Sequence, residues 1–252
     1  MVIGLIGAGN MGSALARGLG EPLLVSDTDR ARSESLAVEL GGEALGSSAE
    51  LAERADLVIL AHKPRQLHEV AAEIDGRARA VASILGGVEV AAVEAAYPGA
   101  PVYRLMPNLA VAVRRGVVCY TPGSHAGDGP EDELLGLVGR LGTVIELEEA
   151  LMDPATALTG CAPAFFALVV EALGEAGMRH GLPPERAALM ACETMAGTAA
   201  LLAGRELETA DLRRRVTSPG GSTARGLAAL ERGGVRTAFD GAVDAVVGTG
   251  RR

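Results

Sequence analysis

Near the C-terminus, Ser218-Pro219-Gly220-Gly221-Ser222-Thr223 combines residue types suited to holding an anion. Ser218 can cap a helix, and Pro219 has no N–H to leave unpaired. Two glycines let the backbone approach a ligand closely. The N–H groups of Gly220, Gly221, Ser222 and Thr223 would then point outward at the positive end of a helix dipole, which suits a carboxylate or phosphate. Thr223 adds a hydroxyl that can both donate and accept a hydrogen bond. An ordinary turn and cap would use the same residues.

A second constellation lies at the N-terminus. The apolar residues 2–6 run directly into Gly7-Ala8-Gly9-Asn10-Met11-Gly12, and residues 13–19 read as a helix. Strand, G-x-G-x-x-G and helix form a dinucleotide-binding fingerprint. The first glycine makes the turn, the second admits the pyrophosphate, and the third lets helix and strand pack closely. The next strand ends at Ser26-Asp27-Thr28-Asp29-Arg30. An acid at this tip favours the free ribose of NADH, whereas nearby Ser, Thr and Arg favour the 2′-phosphate of NADPH, so either cofactor is compatible. Asp27 could equally cap the following helix. A later strand ends at Ala61-His62-Lys63-Pro64, where strand tips line the ligand crevice; Lys63 is placed near the cofactor or stands solvated in a loop, and His62 reads as a loop residue. Asn108, after another strand, either contacts the cofactor or holds its turn.

These residues need a scaffold, and the pattern supplies one. Short apolar runs at residues 2–6, 23–25, 43–45, 56–60, 80–85, 102–106, 116–121 and 143–147 read as strands, with helices between most of them. After Leu147 the remaining segments read as helices: 150–159 and 162–179 around Gly160, then 184–202, 209–216, 223–231 and 237–247. Residues 164–173 have almost no polar face, as expected of a helix buried all round or set against another subunit. The expected fold class is therefore α/β: a dinucleotide-binding domain at residues 1–148, then an all-helical domain at 149–252.

Composition narrows the function. A net charge of −9 argues against a general nucleic-acid or anionic-membrane binder. No apolar run approaches about 18 residues, so no membrane-spanning helix is expected, and a first strand beginning at Val2 leaves no expected signal peptide. Cys119, Cys161 and Cys192 are too scattered for a metal site and fit a reducing cytoplasm. Lys63 is the sole lysine of the chain, and Asn10 and Asn108 are its sole asparagines.

Taken together, these motifs resemble the pyrroline-5-carboxylate reductase family along nearly the whole chain. The resemblance rests on Gly7 to Gly12, Lys63-Pro64, Met106-Pro107-Asn108, Gly160 to Phe165 and, above all, Val216 to Thr223 continued by Gly226-Leu227 and Leu230-Glu231. It implies a Rossmann-like NAD(P)-binding domain, then a helical dimerisation domain that interleaves with a partner's, in homodimers that associate further, commonly into decamers. It also implies hydride transfer from NADPH or NADH to the C=N carbon of 1-pyrroline-5-carboxylate, giving L-proline. Ser218, Gly220, Gly221, Ser222 and Thr223 would hold the substrate carboxylate, with Thr223 bonding the ring nitrogen. Gly7, Ala8, Gly9, Asn10, Met11, Gly12, Ser26, Asp27, Ala61, Lys63, Pro64 and Asn108 would meet the cofactor. Thr159-Gly160-Cys161-Ala162-Pro163-Ala164-Phe165 departs from the family's usual Ser-Gly-Ser-Gly-Pro-Ala-Tyr, which keeps a reductase of another cyclic imino acid as an alternative. A non-catalytic NAD(P) sensor would not need the second anion site. A β-hydroxyacid dehydrogenase would need a lysine on its helical side, where this chain has none.

Overall fold

The structure, a computed structural model, describes residues 1–204 and 207–249. The chain divides into two compact units, Met1–Cys161 and Ala162–Arg252.

The first unit is built on one eight-stranded sheet. In chain order its elements are β1 (Ile3–Ile6), α1 (Asn10–Leu19), β2 (Leu24–Ser26), α2 (Arg30–Leu40), β3 (Glu43–Ala44), α3 (Ser48–Arg54), β4 (Leu57–Leu60), α4 (Leu67–Ile74), β5 (Val81–Ser83), α5 (Val90–Ala96), β6 (Val102–Pro107), β7 (Gly116–Pro122), α6 (Glu131–Gly139), β8 (Gly142–Glu146) and α7 (Met152–Thr156). The strand order is β3-β2-β1-β4-β5-β6-β7-β8. All neighbours pair in parallel except β6 and β7, which are antiparallel.

Strand periodicity explains the layers. Ile3, Leu5, Leu57, Ile59 and Ala82 face one hydrophobic cluster with Leu15 of α1, Leu36 of α2 and Leu134 of α6. Their alternates Ile6, Val58, Leu60 and Val81 face a second cluster with Leu51 of α3, Val70 of α4 and Val93 of α5. A sheet buried on both faces yields the continuous apolar runs seen in the sequence. The strand order reverses around β1, between β2 and β4, and ligands bind at such a switch point, beyond the carboxyl ends of the strands.

Two close approaches fix α1. A Cβ on Gly12 would lie 2.1 Å from the Gly7 carbonyl oxygen, and one on Gly18 would lie 2.2 Å from the Val111 carbonyl oxygen. The latter belongs to a 3₁₀ turn, Leu109–Val113, that follows β6. Arg114 ends that turn with φ +56° and donates from Nε to the Gly18 carbonyl at 2.8 Å.

β6 also carries Arg104, which is buried and ion-paired with Glu149. Burial pushes its pKa down, against the opposing pull of Asp153 and Glu89. Its Nε has no partner, an expensive arrangement for a buried cation. The pair ties the residues after β8 to the middle of the sheet. Met152 does the same with apolar contacts, clustering with Met106 and Cys119. These ties explain why compactness divides the chain at Cys161, beyond the change from strands to helices.

One expectation needs correction. Gly160 does not separate two helices: Ala157–Cys161 forms a π-helical turn, and the helical run extends unbroken over Glu149–Arg179. One glycine costs a helix only about 1 kcal/mol, and a π-bulge absorbs the local misfit. By length and composition this run is long and apolar enough to cross a membrane, a property it shares with helices that pack against other protein. Its uncharged stretch is dispersed in sequence by Thr156, Thr159, Gly160 and Pro163, and so did not read as one apolar run.

The second unit contains α8 (Ala162–Arg179), α9 (Pro184–Ala203), α10 (Thr209–Arg215), α11 (Ser222–Arg232) and α12 (Val235–Thr249). α8 and α9 meet through small residues, with the Gly174 and Gly177 positions facing Ala188 and Ala187. Among its described residues, only Ala162, Gly174, Ala187 and Ala191 are buried. Leu168, Leu173, Leu189, Met190 and Leu201 are all exposed. A unit with so few buried side chains has too little buried apolar area to be stable as a bare surface.

Candidate functional site

The first unit opens into a cleft of ≈ 1240 Å³ at the switch point. Gly7, Ala8, Gly9, Asn10, Met11, Ser26, Asp27, Ala61, Lys63 and Pro64 line it. The three motif glycines play different roles. Gly7 has φ +106°, and a side chain there would strike Ala61 and His62 backbone atoms at 2.6 Å. Gly9 is the N-cap of α1, and a Cβ there would meet nothing within 4 Å. Gly12 is buried against Gly7 and lies outside the lining.

The loop's N–H groups are divided in the same way. The Gly7 N–H donates to the Ser26 carbonyl at 2.8 Å, and the Ala8 N–H donates to Asp27 Oδ2 at 2.6 Å. Those two are used within the protein. The first helical bond is the Ser13 N–H to the Gly9 carbonyl at 2.8 Å, which leaves the N–H groups of Asn10, Met11 and Gly12 as the unpaired first turn of α1. An open approach over Gly9, beside a positive helix end, fits a dinucleotide pyrophosphate.

Asp27 does not cap α2 with its side chain. Asp29 holds the N-cap position, and its N–H donates to Asp27 Oδ1 at 2.7 Å. Asn108 is buried and lies outside the lining; its Oδ1 accepts the Val117 N–H at 3.1 Å. Of its two expected roles, the observed bond is that of a turn holder joining β6 to β7.

His62 lines the cleft, although its sequence position marked it only as a loop residue. Its Nδ1 lies 3.0 Å from the Lys63 carbonyl, so the neutral ring carries its proton there. Its Nε2 is buried without a partner. Desolvation holds its pKa below the ordinary histidine value, opposed by the Lys63 carbonyl and Glu69. The one available sequence signal was its place at a strand tip. Arg17, Ser48, Glu69, Glu73 and Ala112 also line the cleft from α1, α3, α4 and the 3₁₀ turn, and no motif marked them.

In the second unit, residues 216–221 form a turn into α11. The Gly221 N–H donates to the Ser218 carbonyl at 3.0 Å, and Gly220 has φ +68°. Gly221, not Ser218, is the N-cap, and no side chain caps the helix. The reason is steric: Pro219-Gly220 folds the chain so tightly that a Cβ on Gly221 would lie 2.4 Å from Ser218 Oγ. The Arg225 N–H makes the first helical bond, to the Gly221 carbonyl at 3.2 Å. Of the expected donors, the Gly221 N–H is thus used within the turn, while the N–H groups of Ser222, Thr223 and Ala224 form the unpaired first turn of α11. Thr223 is exposed, and the Thr217 hydroxyl is buried without a partner. Arg225 Nη1 donates to the Gly220 carbonyl at 2.8 Å, bracing the turn.

Comparison with known proteins identifies the arrangement. Residues 149–252 match the family model described as pyrroline-5-carboxylate reductase dimerisation, and residues 2–87 match that described as NADP oxidoreductase, coenzyme F420-dependent. A pyrroline-5-carboxylate reductase of Mycobacterium tuberculosis is 35% identical, covering 96% of this chain and 93% of that protein. The chain belongs to the pyrroline-5-carboxylate reductase family. A Plasmodium falciparum reductase of the family, solved with NADP bound, superposes with a TM-score of 0.89 at 27% identity, covering 100% of this chain and 97% of that one. A Streptococcus pyogenes member gives a TM-score of 0.89 at 28% identity, covering 100% and 98%. The region matched as dimerisation domain contains both the apolar Glu149–Arg179 run and the exposed apolar side chains of α8 and α9.

Two outcomes follow from this geometry. Gly9→Ala leaves the thermal midpoint within about 1 °C, yet weakens dinucleotide binding at least about tenfold, because the new methyl group fills the pyrophosphate approach. Gly12→Ala forces α1 off β1 and destabilises the protein by about 1–3 kcal/mol; thermal melts and calorimetric titration check both. The second concerns His62. Since its folded pKa is depressed, the unfolded chain takes up the proton first, and stability declines as pH falls below about 6.5. The urea midpoint should drop more steeply from pH 7.5 to 5.5 in the parent than in His62→Gln.

Proposed function

We propose that this protein reduces 1-pyrroline-5-carboxylate to L-proline, using a reduced nicotinamide dinucleotide. The observation that carries the reading is the pairing of two unfilled helix N-termini: α1 at the cleft of one unit, α11 behind the Ser218–Thr223 turn of the other. The first suits a pyrophosphate and the second a carboxylate. A cyclic imino acid reductase needs both, and a dinucleotide sensor needs only the first.

The residues divide the work as follows. The N–H groups of Asn10 and Met11 receive the pyrophosphate, with Gly9 leaving room for it and Gly12 packing the helix start against the loop. Ser26 and Asp27 face the adenosine ribose, while Ala61, Lys63 and Pro64 form the opposite wall. Asn108 serves by holding the β6–β7 turn. The bound reduced nicotinamide supplies the hydride. The N–H groups of Ser222 and Thr223 receive the substrate carboxylate, and Ser218, Gly220 and Gly221 shape the turn that presents them. The Thr223 hydroxyl bonds the ring nitrogen and relays a proton from water. Protonation makes the C=N carbon a better hydride acceptor, so this residue works by orientation and proton supply and not as a strong base.

The unit 162–252 buries too little of its own surface to stand alone, and in a family defined in part by a dimerisation domain the cover is a second copy of the chain. A homodimer with interleaved helical units, able to associate further towards a decamer, accounts for the exposed leucines of α8 and α9 better than a lipid bilayer does. Three unpaired cysteines accord with a cytoplasmic setting.

Thr223→Ala tests the catalytic assignment. Turnover with 1-pyrroline-5-carboxylate, followed by dinucleotide oxidation, should fall about 10²–10³-fold. Dinucleotide affinity should stay within about twofold, because Thr223 lies on α11 and the dinucleotide cradle on α1. An unchanged turnover number removes Thr223 from the mechanism.

A further inference from the structure

We propose that the ribose end of the cleft selects NADH over NADPH, with Asp27 as the specificity-determining residue. This rests on reading the cleft as the dinucleotide site. The family accommodates the phosphorylated cofactor, as the Plasmodium falciparum member solved with NADP shows, so the selection belongs to this chain's own residues.

The first observation is how firmly the Asp27 carboxylate is held. Oδ2 accepts the Ala8 N–H at 2.6 Å, from the glycine loop itself. Oδ1 accepts the Asp29 N–H at 2.7 Å. Both carboxylate oxygens are thus held by backbone N–H groups, and the carboxylate cannot swing away without breaking those bonds. Each oxygen keeps a further lone pair, so the carboxylate can still accept from ribose hydroxyls. A 2′-phosphate carries about −1.5 to −2 charge and offers only acceptors at neutral pH. Against a fixed carboxylate at the β2 tip it meets like charge, and the neighbouring Thr28 hydroxyl already leans on Asp27 Oδ1 at 3.5 Å.

The second observation is that the nearby cations are already engaged. Arg17 makes a two-pronged pair with Glu39, at 2.7 and 2.9 Å. Arg32 pairs with Asp29 at 3.0 Å, and Arg30 with Glu34 at 2.6 Å. Among the described residues, the cleft's cation without a carboxylate partner is Lys63. It stands at the tip of β4, and β4 and β2 lie on either side of β1. Two strand spacings, about 9–10 Å, separate it from the Asp27 tip. A 2′-phosphate would therefore have to share each of these arginines with a carboxylate already paired to it.

The test is calorimetric titration of the whole protein with NADH and with NADPH, without substrate. The expected result is a Kd for NADH at least about tenfold below that for NADPH. Asp27→Asn keeps an acceptor for the Ala8 N–H and removes the charge. It should shrink the ratio at least about fivefold, chiefly by tightening NADPH. Equal binding, or tighter NADPH, in the parent protein overturns the proposal whether or not the variant folds. So does an unchanged ratio in an Asp27→Asn protein whose melting curve matches the parent. If the folded parent binds neither dinucleotide, the cleft reading itself fails and the proposal falls with it.

Discussion

No side chain fits between the first turn of α1 and the end of β1. The Gly12 position sits 2.1 Å, measured from a built Cβ, from the Gly7 carbonyl oxygen. That approach lets α1 start at Asn10, directly over the switch point, with three unpaired N–H groups at its mouth. Much else follows from it. Gly7 must adopt φ +106° to turn the chain, which brings Ala8 within reach of Asp27. Asp27 in turn anchors the start of α2 through Asp29. The cleft, the β2 tip and the first helix are one constrained assembly, and substituting any of its glycines disturbs a different part.

The turn before α11 repeats the logic with different residues. A proline and a glycine at φ +68° fold Ser218 to Gly221 so tightly that the helix begins without a side-chain cap. A serine or aspartate cap would occupy the N–H groups that the proposed carboxylate ligand needs. At both helix starts the protein leaves the N-cap position to glycine, which has no side-chain oxygen to offer.

Much of this was legible in the sequence, because spacing reports local backbone geometry. The glycine fingerprint, the strand tips at Ser26 and Ala61 and the Ser218–Thr223 turn all lie where their pattern placed them. What depends on distant packing was not legible. Ser218 reads as a cap until the turn's tightness is known. Asn108 reads as a ligand contact as readily as a turn holder, and only its bond to Val117 separates the two. Gly160 reads as a helix break, whereas the surrounding helix continues through it as a π turn. Arg104 and Glu149 are separated by 45 residues, and nothing local to either announces a buried pair. His62 was visible as a strand-tip residue, but its buried Nε2 is a property of the folded cleft.

The central claim is hydride delivery to the C=N carbon of a cyclic imino acid. Its most direct test is product analysis after incubation with 1-pyrroline-5-carboxylate and NADH dideuterated at nicotinamide C4. The account expects proline carrying one deuterium, at C5, formed in step with loss of the reduced dinucleotide. Dinucleotide binding without any labelled proline would contradict it, and would leave the turn before α11 as an anion site with some other purpose.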